Sequence, residues 1–508
     1  MPIASRLRAT AVSVFAAAAL LGWSATAFAD GTLRIGREQD STTLDPILTI
    51  QNVDIWVMDN MNAGLVRVTY DGSGLEPDLA EKWTISDDAL TYTFTLRDGL
   101  KFSDGTAITP QDVKFSLERL RDQKDSVMGS MYKVVKSVDT PDAKTVVITL
   151  NEPSAPFLST LAMFSASVVP QKAVTEKGAD FGSNPVGAGA FMLKDWKRGD
   201  TVSLVRNPNY WEASRVKLDG VDWLNIPNDN TRVLKLQGGE LEAAVFIPFN
   251  QIDTLAKDPN IDIHLDPSSR EDNLLINHAH KPLDDLRVRQ AVCAAIDRDA
   301  VVKTVLFGHG QAANSFIPGG ALFYSAGNKV CGYDPAAATK LLADAGAKDL
   351  TLKLLIPAGD SINDQTAVLV KDQLGKVGVT VNIEKQEQGQ QFQSMIDGNY
   401  DLSTTYWTND IIDPDEKVTF SVYGIDDNRS YYTNYKNEKV TKLVEDGRHE
   451  MNADKRKEIY AQIQQIVADD VHWIDLYYSP FRNASRKTVQ KFYQNPTGRF
   501  MLEDTSIQ

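Results

Sequence analysis

The stretch YDLSTTYWTNDIIDPD, residues 400–415, places three carboxylates close behind a tryptophan: Asp410, Asp413 and Asp415 after Trp407. A carboxylate in such a place can cap a helix, hold a cation, pair with a ligand's ammonium or move a proton. Neighbours decide between these roles. Asp413 precedes Pro414 and stands three residues before Glu416, the arrangement of an N-cap, a proline at the first helical position and an acid in the first turn. Its carboxylate is expected on the backbone N–H groups of a following helix. Asp415 then lies in that helix's first turn, where negative charge suits the helix dipole. Asp410 has no such assignment and reads either as a solvated loop residue or as a ligand contact.

The elements that position these residues follow from periodicity. LTLKLLIP at 350–357 reads as a buried strand, Gln365–Leu374 as a helix, and VTVNIEK at 379–385 as a second strand. Gln390–Ile396 reads as a helix closed by Gly398, and YDLSTTYW as a third strand. Short connections in this order imply parallel strands with right-handed crossovers. Ligands of open α/β sheets sit outside the carboxyl ends of the strands, which here means Trp407-Thr408-Asn409-Asp410. Elsewhere LTYTFTL at 90–96 alternates as a half-buried strand, and Thr109-Pro110-Gln111-Asp112 opens a helix bearing Val113, Leu117 and Leu120 on one face. Asp334-Pro335 opens another helix, and Asn452 caps one that carries Ile459, Ile463, Ile466 and Val467. The fold class is α/β.

The chain has 508 residues, which implies more than one compact unit, and a net charge of −15 that disfavours nucleic acid and anionic lipid as partners. Residues 1–29 carry Arg6 and Arg8, an apolar run from Ala11 to Trp23, and Ala-Phe-Ala at 27–29. This is the pattern of a cleavable signal peptide, with cleavage after Ala29 and a product exported from the cytoplasm. The residue directly after the cleavage site is Asp30 rather than a cysteine, so a lipid anchor is not expected there. Cys293 and Cys331 either pair in an oxidising compartment or leave Cys293 as a small buried residue of the helix VRQAVCAAID. Of the six histidines only His278 and His280 are close in sequence, and no acidic or cysteine cluster at ligand spacing accompanies them. No metal or other cofactor is therefore expected. The motifs G-x-S-x-G, H-E-x-x-H and the P-loop are absent and neither cysteine has an evident histidine partner, so the chain does not read as an enzyme.

The block GLVRVTYDGSGLEPDLAEKWTISDDALTYTFTLRDGLKFSDGTAITPQDVKFSLERL at 64–120 resembles the signature of family 5 bacterial extracellular solute-binding proteins. TLDP at 43–46, NPVGAGAF at 184–191, RNPNYW at 206–211, PLDDLRVRQAVCAAIDRDAV at 282–301, GYDPAAATKLLADAG at 332–346 and WTNDIIDPD at 407–415 follow in the family's order. The resemblance implies a periplasmic binding protein fold of type II, with two hinged lobes around a ligand cleft and an extra domain. Carried onto this chain, lobe I takes 30–66, 187–273 and 480–508, the extra domain 67–186 and lobe II 274–479. It further implies a monomer that captures a short peptide or other amine-bearing, peptide-like solute. The cargo would pass to an inner-membrane ABC permease with cytoplasmic ATPase subunits; the alternative cargo is a metal complex or other non-peptide solute. Peptide-binding members place an aspartate three residues after a tryptophan to hold the ligand's α-ammonium, and Trp407 and Asp410 match that spacing. By the same resemblance Tyr406, Thr408 and Asn409 line the cleft beside them. Ile50, Gln51 and Asn52 run along an extended ligand backbone, and Tyr132 contributes an aromatic from the extra domain. One departure stands out. Where dipeptide binders carry an arginine for the ligand's carboxylate, this chain reads IPAGDSINDQ, leaving Arg270 or Lys281 as cations from elsewhere.

Overall fold

The computed structural model describes residues 31–424 and 430–508. The signal-peptide expectation for residues 1–29 lies outside them. Alternation decides the first sheet to consider: Thr91–Leu96 and Thr145–Leu150 both alternate half-buried and buried residues. They pair with Tyr92 opposite Ile148 and Phe94 opposite Val146, at the centre of an antiparallel sheet completed by Ala80–Ile85 and Val135–Asp139. The helix Pro110–Asp122 covers this sheet through Val113, Leu117 and Leu120, and the expected capping box of Thr109 and Asp112 is formed.

Two larger sheets carry the rest. The first has seven strands, in the spatial order Ile261–Asp266, Phe481–Arg486, Ala243–Ala244, Thr32–Arg37, Gly220–Asn225, Thr201–Arg206, Phe191–Lys197. The second has six, in the order Gln311–Ala312, Trp473–Tyr478, Glu271–Ile276, Leu402–Trp407, Thr351–Pro357, Thr380–Gln386. The chain thus crosses from one sheet to the other between Asp266 and Glu271 and returns between Tyr478 and Phe481.

In the second sheet Thr351–Pro357 runs parallel to both Thr380–Gln386 and Leu402–Trp407, as short crossovers require. The intervening helices are Ser361–Gly375 and Gln388–Ile396. The first begins about one turn before the expected Gln365 because Asp360 accepts the N–H groups of Ile362 and Asn363 at 2.8 and 3.1 Å. The loop without a cation is therefore occupied with capping. Ser361 also donates to Asp229 at 2.6 Å, which ties this helix's start to the opening of the helix Asp229–Gly238.

Cys293 and Cys331 are joined, fastening the helix Leu286–Ala294 to the segment that leads into Pro335–Asp344. Arg298 packs on the bridge, donating to the Cys331 carbonyl at 2.8 Å. With the partners 38 positions apart in the chain, reduction should cost about 2–4 kcal/mol through the freedom regained by the unfolded chain. Urea unfolding with and without reductant measures this, and identical midpoints would contradict it. Among the described residues no helix is long and apolar enough to cross a membrane.

Candidate functional site

A cavity of about 890 Å³ opens at the carboxyl end of the Leu402–Trp407 strand. Its size falls in the range of small-molecule sites, roughly 300–1,000 Å³. One wall is the start of the helix Asn52–Met61, with Ile50, Gln51 and Asn52. That helix is fixed on the seven-stranded sheet by Trp56, which stacks on Trp223 at 6.2 Å and meets Phe246 and Phe500 edge-on. The opposite wall is aromatic: Phe392, Tyr406, Trp407, Phe420, Tyr431 and Tyr432. A third side comes from 121–133, beside the antiparallel sheet, and brings Arg121, Lys124 and Lys133.

The aromatic wall is held from behind. Trp407 stacks on Phe420 at 5.9 Å, meets Tyr431 edge-on at 5.1 Å and donates its indole N–H to Asn409 at 2.9 Å. Tyr431 and Tyr432 have φ of 53° and 67°, a left-handed backbone that is costly for aromatic residues and concentrates at functional sites. Arg270 lies over the Tyr406 ring at 3.6 Å and grips Asp272 with two bonds of 2.8 and 2.6 Å. Tyr406 in turn accepts from Asn52 at 3.3 Å, a contact that joins the two walls. Arg270 is therefore committed to Asp272 and is absent from the cavity lining, while Lys281 is exposed before a cis proline.

Beneath Trp407 sits an ion pair, Lys417 with Glu271 at 3.1 Å, both fully buried, with Asn273 donating to Glu271 at 2.9 Å. Burial pushes the Glu271 carboxyl up to about 8 and pulls the Lys417 ammonium down; their attraction opposes both shifts.

The structure separates the three aspartates. Asp413 accepts the N–H of Asp415 at 3.0 Å and receives Arg456 in a two-pronged pair at 2.6 and 2.9 Å. Asp415 opens the helix Asp415–Val422 and accepts from Arg448 at 3.0 Å. Asp410 lies on the cavity wall, 6% exposed, and no lysine, arginine or histidine among the described residues forms an ion pair with it. Burial raises its carboxyl to about 7, against the more distant attraction of Arg499.

Of the residues the sequence put at the site, Ile50, Gln51, Asn52, Tyr406, Trp407, Thr408 and Asp410 share this cavity. Asn409 stands behind the wall as the partner of Trp407. Tyr132 is wholly buried, its hydroxyl donating to the Thr160 carbonyl at 2.7 Å, while Met128, Gly129 and Ser130 from the same turn reach the cavity. Tyr132→Phe should lower stability by about 1 kcal/mol and leave ligand affinity unchanged, as read by urea unfolding and calorimetry. A large affinity loss would return Tyr132 to the wall. The sequence reading missed Glu416, whose place in the first turn of a capped helix explained it fully. Glu416 instead faces the cavity and reaches back to accept the N–H groups of Asp410 and Ile411 at 2.8 and 3.2 Å.

The two close histidines diverge: His278 bonds the His472 carbonyl at 2.8 Å and His280 meets Asp401 at 2.9 Å. No group of three or more His, Cys, Asp or Glu among the described residues is arranged to hold a metal ion.

Comparison with known proteins adds to this geometry. The model of the family described as bacterial extracellular solute-binding proteins, family 5 Middle, matches residues 74–429. The probable D,D-dipeptide-binding periplasmic protein DdpA of Escherichia coli is 32% identical over 477 residues, covering 91% of this chain and 92% of the relative. The glutathione-binding protein GsiB of Salmonella typhimurium is 28% identical, with 97% of each chain covered. Among solved structures, the periplasmic binding protein DppA of Helicobacter pylori, in complex with the peptide STSA, superposes with a TM-score of 0.87 at 26% identity. That match covers 94% of this chain and 98% of the other.

Proposed function

Since the chain belongs to the family 5 bacterial extracellular solute-binding proteins of ABC importers, we propose that it captures a short peptide, or another amine-bearing peptide-like solute, in the cavity beside Asp410. One observation carries this reading: Asp410, 6% exposed, lies on the wall of a cavity of about 890 Å³ with no lysine, arginine or histidine among the described residues paired to it. A ligand ammonium supplies the missing charge through a charge-assisted hydrogen bond. Relatives named for D,D-dipeptides and glutathione, and one solved with a tetrapeptide, support the class, because each of those ligands presents an amino group.

In this reading residues 30–66, 187–273 and 480–508 form one lobe, 274–479 the other, and 67–186 the extra domain. The Asn52–Tyr406 and Ser361–Asp229 contacts support a form in which the lobes have closed. Ligand favours that form by binding it more tightly than the open one. The mature monomer works in the periplasm after loss of residues 1–29, carries out no catalysis, and hands its cargo to an inner-membrane permease driven by cytoplasmic ATPases. The ligand's carboxylate, where it has one, faces Lys124 and Lys133, since the loop at 356–365 lacks a cation and Arg121 is paired with Asp122.

Native mass spectrometry of the protein purified from its host tests the class directly. An additional mass matching a small amine-bearing, peptide-like compound is expected. A co-purified compound without an amino group would overturn the reading.

A further inference from the structure

Glu416 is fully buried on the cavity wall, and its two oxygens are in different situations. Oε2 accepts the N–H groups of Asp410 and Ile411. Oε1 has no donor among the described residues. Its side chain lies against the Asp410 carboxyl in hydrogen-bonding contact. Two carboxyls can meet in this way only if a proton lies between them, because two ionised groups shut away from water repel strongly. A capping role explains Oε2 alone. This buried oxygen without a described donor, on a side chain that lines the cavity beside Asp410, is the feature that the helix start does not require.

We propose that Glu416 is a second carboxylate of the recognition site, so that a ligand's primary ammonium bridges Asp410 and Glu416 and displaces the proton they share in the empty cleft. This rests on the reading of the cavity as a site for amine-bearing solutes. The balance is simple. R–NH₃⁺ enters a pair written as COOH···⁻OOC, the O–H bond breaks, the electron pair stays on the carboxylate, and H⁺ leaves to solvent. No covalent bond forms, and the three N–H donors of the ammonium are shared between two carboxylates. A quaternary or fully substituted amine cannot make this bridge and is excluded.

Loading leaves the net charge of the site unchanged, because the ammonium offsets the second carboxylate, and the surroundings resist ionising that carboxylate without it. Burial is the main reason that both carboxyls hold their proton more tightly than usual; Asp410 raises Glu416 further, while the contact with Glu416 lowers Asp410. Asp59, from the helix Asn52–Met61, is a further buried acid that raises Asp410. Arg499, from the C-terminal segment, lowers it and lies 3.9 Å from Asp59. Lys417, next along the chain, also feels Glu416, and the buried Tyr132 hydroxyl feels both carboxyls. Cation capture favours the ionised pair, so affinity is full above the pair's titration range and lost as pH falls through it.

Calorimetric titration of the full mature protein tests this, with D-Ala-D-Ala, L-Ala-L-Ala and glutathione as probes, their N-acetylated forms as controls, and two buffers of different ionisation enthalpy. At about pH 7.5 the wild type should release close to one proton per free-amine peptide bound, and its affinity should fall at least about tenfold from pH 8 to pH 6. Glu416→Gln, which keeps an acceptor for the two N–H groups, should release less than half as much and bind with a much flatter pH profile. Tight binding without proton release by the wild type would overturn the role of Glu416 while leaving the amine reading intact. Equal binding of the N-acetylated peptides would overturn the amine reading itself. If none of the probes binds, carboxyl-carbon NMR of the empty protein still decides: a pair that retains a proton at pH 7 supports the proposal, and two ionised carboxylates at that pH sink it.

Discussion

Asp410→Ala should weaken binding of an amine-bearing peptide by about 2–5 kcal/mol, or roughly 30- to several-thousandfold. If the cavity closes over its ligand, an ammonium that loses Asp410 keeps at most Glu416 as a charged partner and cannot recover its hydration. Much of the loss is the cost of that stranded charge, which is why the range is wide. The same substitution should act oppositely on the empty protein. Burial raises the Asp410 carboxyl to about 7 from an ordinary value of 3.8. A raised acid contributes stability that is fully present below its unfolded value and is lost as pH rises through its folded one. At pH 8 the empty wild type therefore carries an unfavourable buried charge, and Asp410→Asn should stabilise it by on the order of 1–2 kcal/mol while weakening the ligand. Melting curves at pH 5 and pH 8, with calorimetry on both proteins, measure the two effects. A variant that loses both stability and affinity at pH 8 would assign Asp410 to the scaffold.

The second large effect is expected below the site. Lys417→Met leaves Glu271 buried without its cation, a change that typically costs about 3–5 kcal/mol when the remaining group must stay charged. Glu271 has another option, because burial already pushes its carboxyl up to about 8 and the loss of Lys417 raises it further. Below that range the variant folds with a neutral acid and loses little. As pH rises through it, the unfolded chain ionises Glu271 freely and the folded one resists, so the deficit grows by about 1.4 kcal/mol per pH unit. Urea unfolding at pH 6 and pH 9 should therefore show a small difference from wild type at the lower pH and one of about 1.4 kcal/mol at the higher, one unit above the Glu271 range. Glu271→Gln combined with Lys417→Met should recover most of it. A deficit independent of pH would mean that lost packing under Trp407, rather than a stranded charge, sets the cost.

These two sites mark how far the sequence could be read. The strands at 351–357, 380–386 and 402–407 were legible because local signals agreed: apolar runs of strand length, short connections and a glycine at Gly398. Asp413 was expected as the helix cap, but the helix starts at Asp415 with Pro414 at its cap and no side-chain cap bond, so Asp413 takes one N–H and Arg456 instead; Asp415 was legible as a first-turn acid. Glu416 was hidden by that success. Its first-turn position already explained it, and its reach back to Asp410 depends on how residues 408–414 fold, which no periodicity reports. Lys417 and Glu271 are 146 residues apart, and a buried charge looks in sequence like a solvated one. The cations at 121–133 reach the cavity from beside a different sheet. Tyr132 shows the reverse error: its turn was placed near the cleft, but its ring turns inward to bond the Thr160 carbonyl. The cysteines were left open between pairing and simple burial, and the fold brings them together by tertiary contact between the helix Leu286–Ala294 and the approach to Pro335.

The central claim is that Asp410 receives the positive charge of the captured solute. A crystal structure of the mature protein with its co-purified cargo tests it most directly. The account predicts a ligand nitrogen within hydrogen-bonding distance of the Asp410 carboxylate, flanked by Tyr406 and Trp407. A ligand seated elsewhere in the cavity, with Asp410 still facing only Glu416, would contradict it.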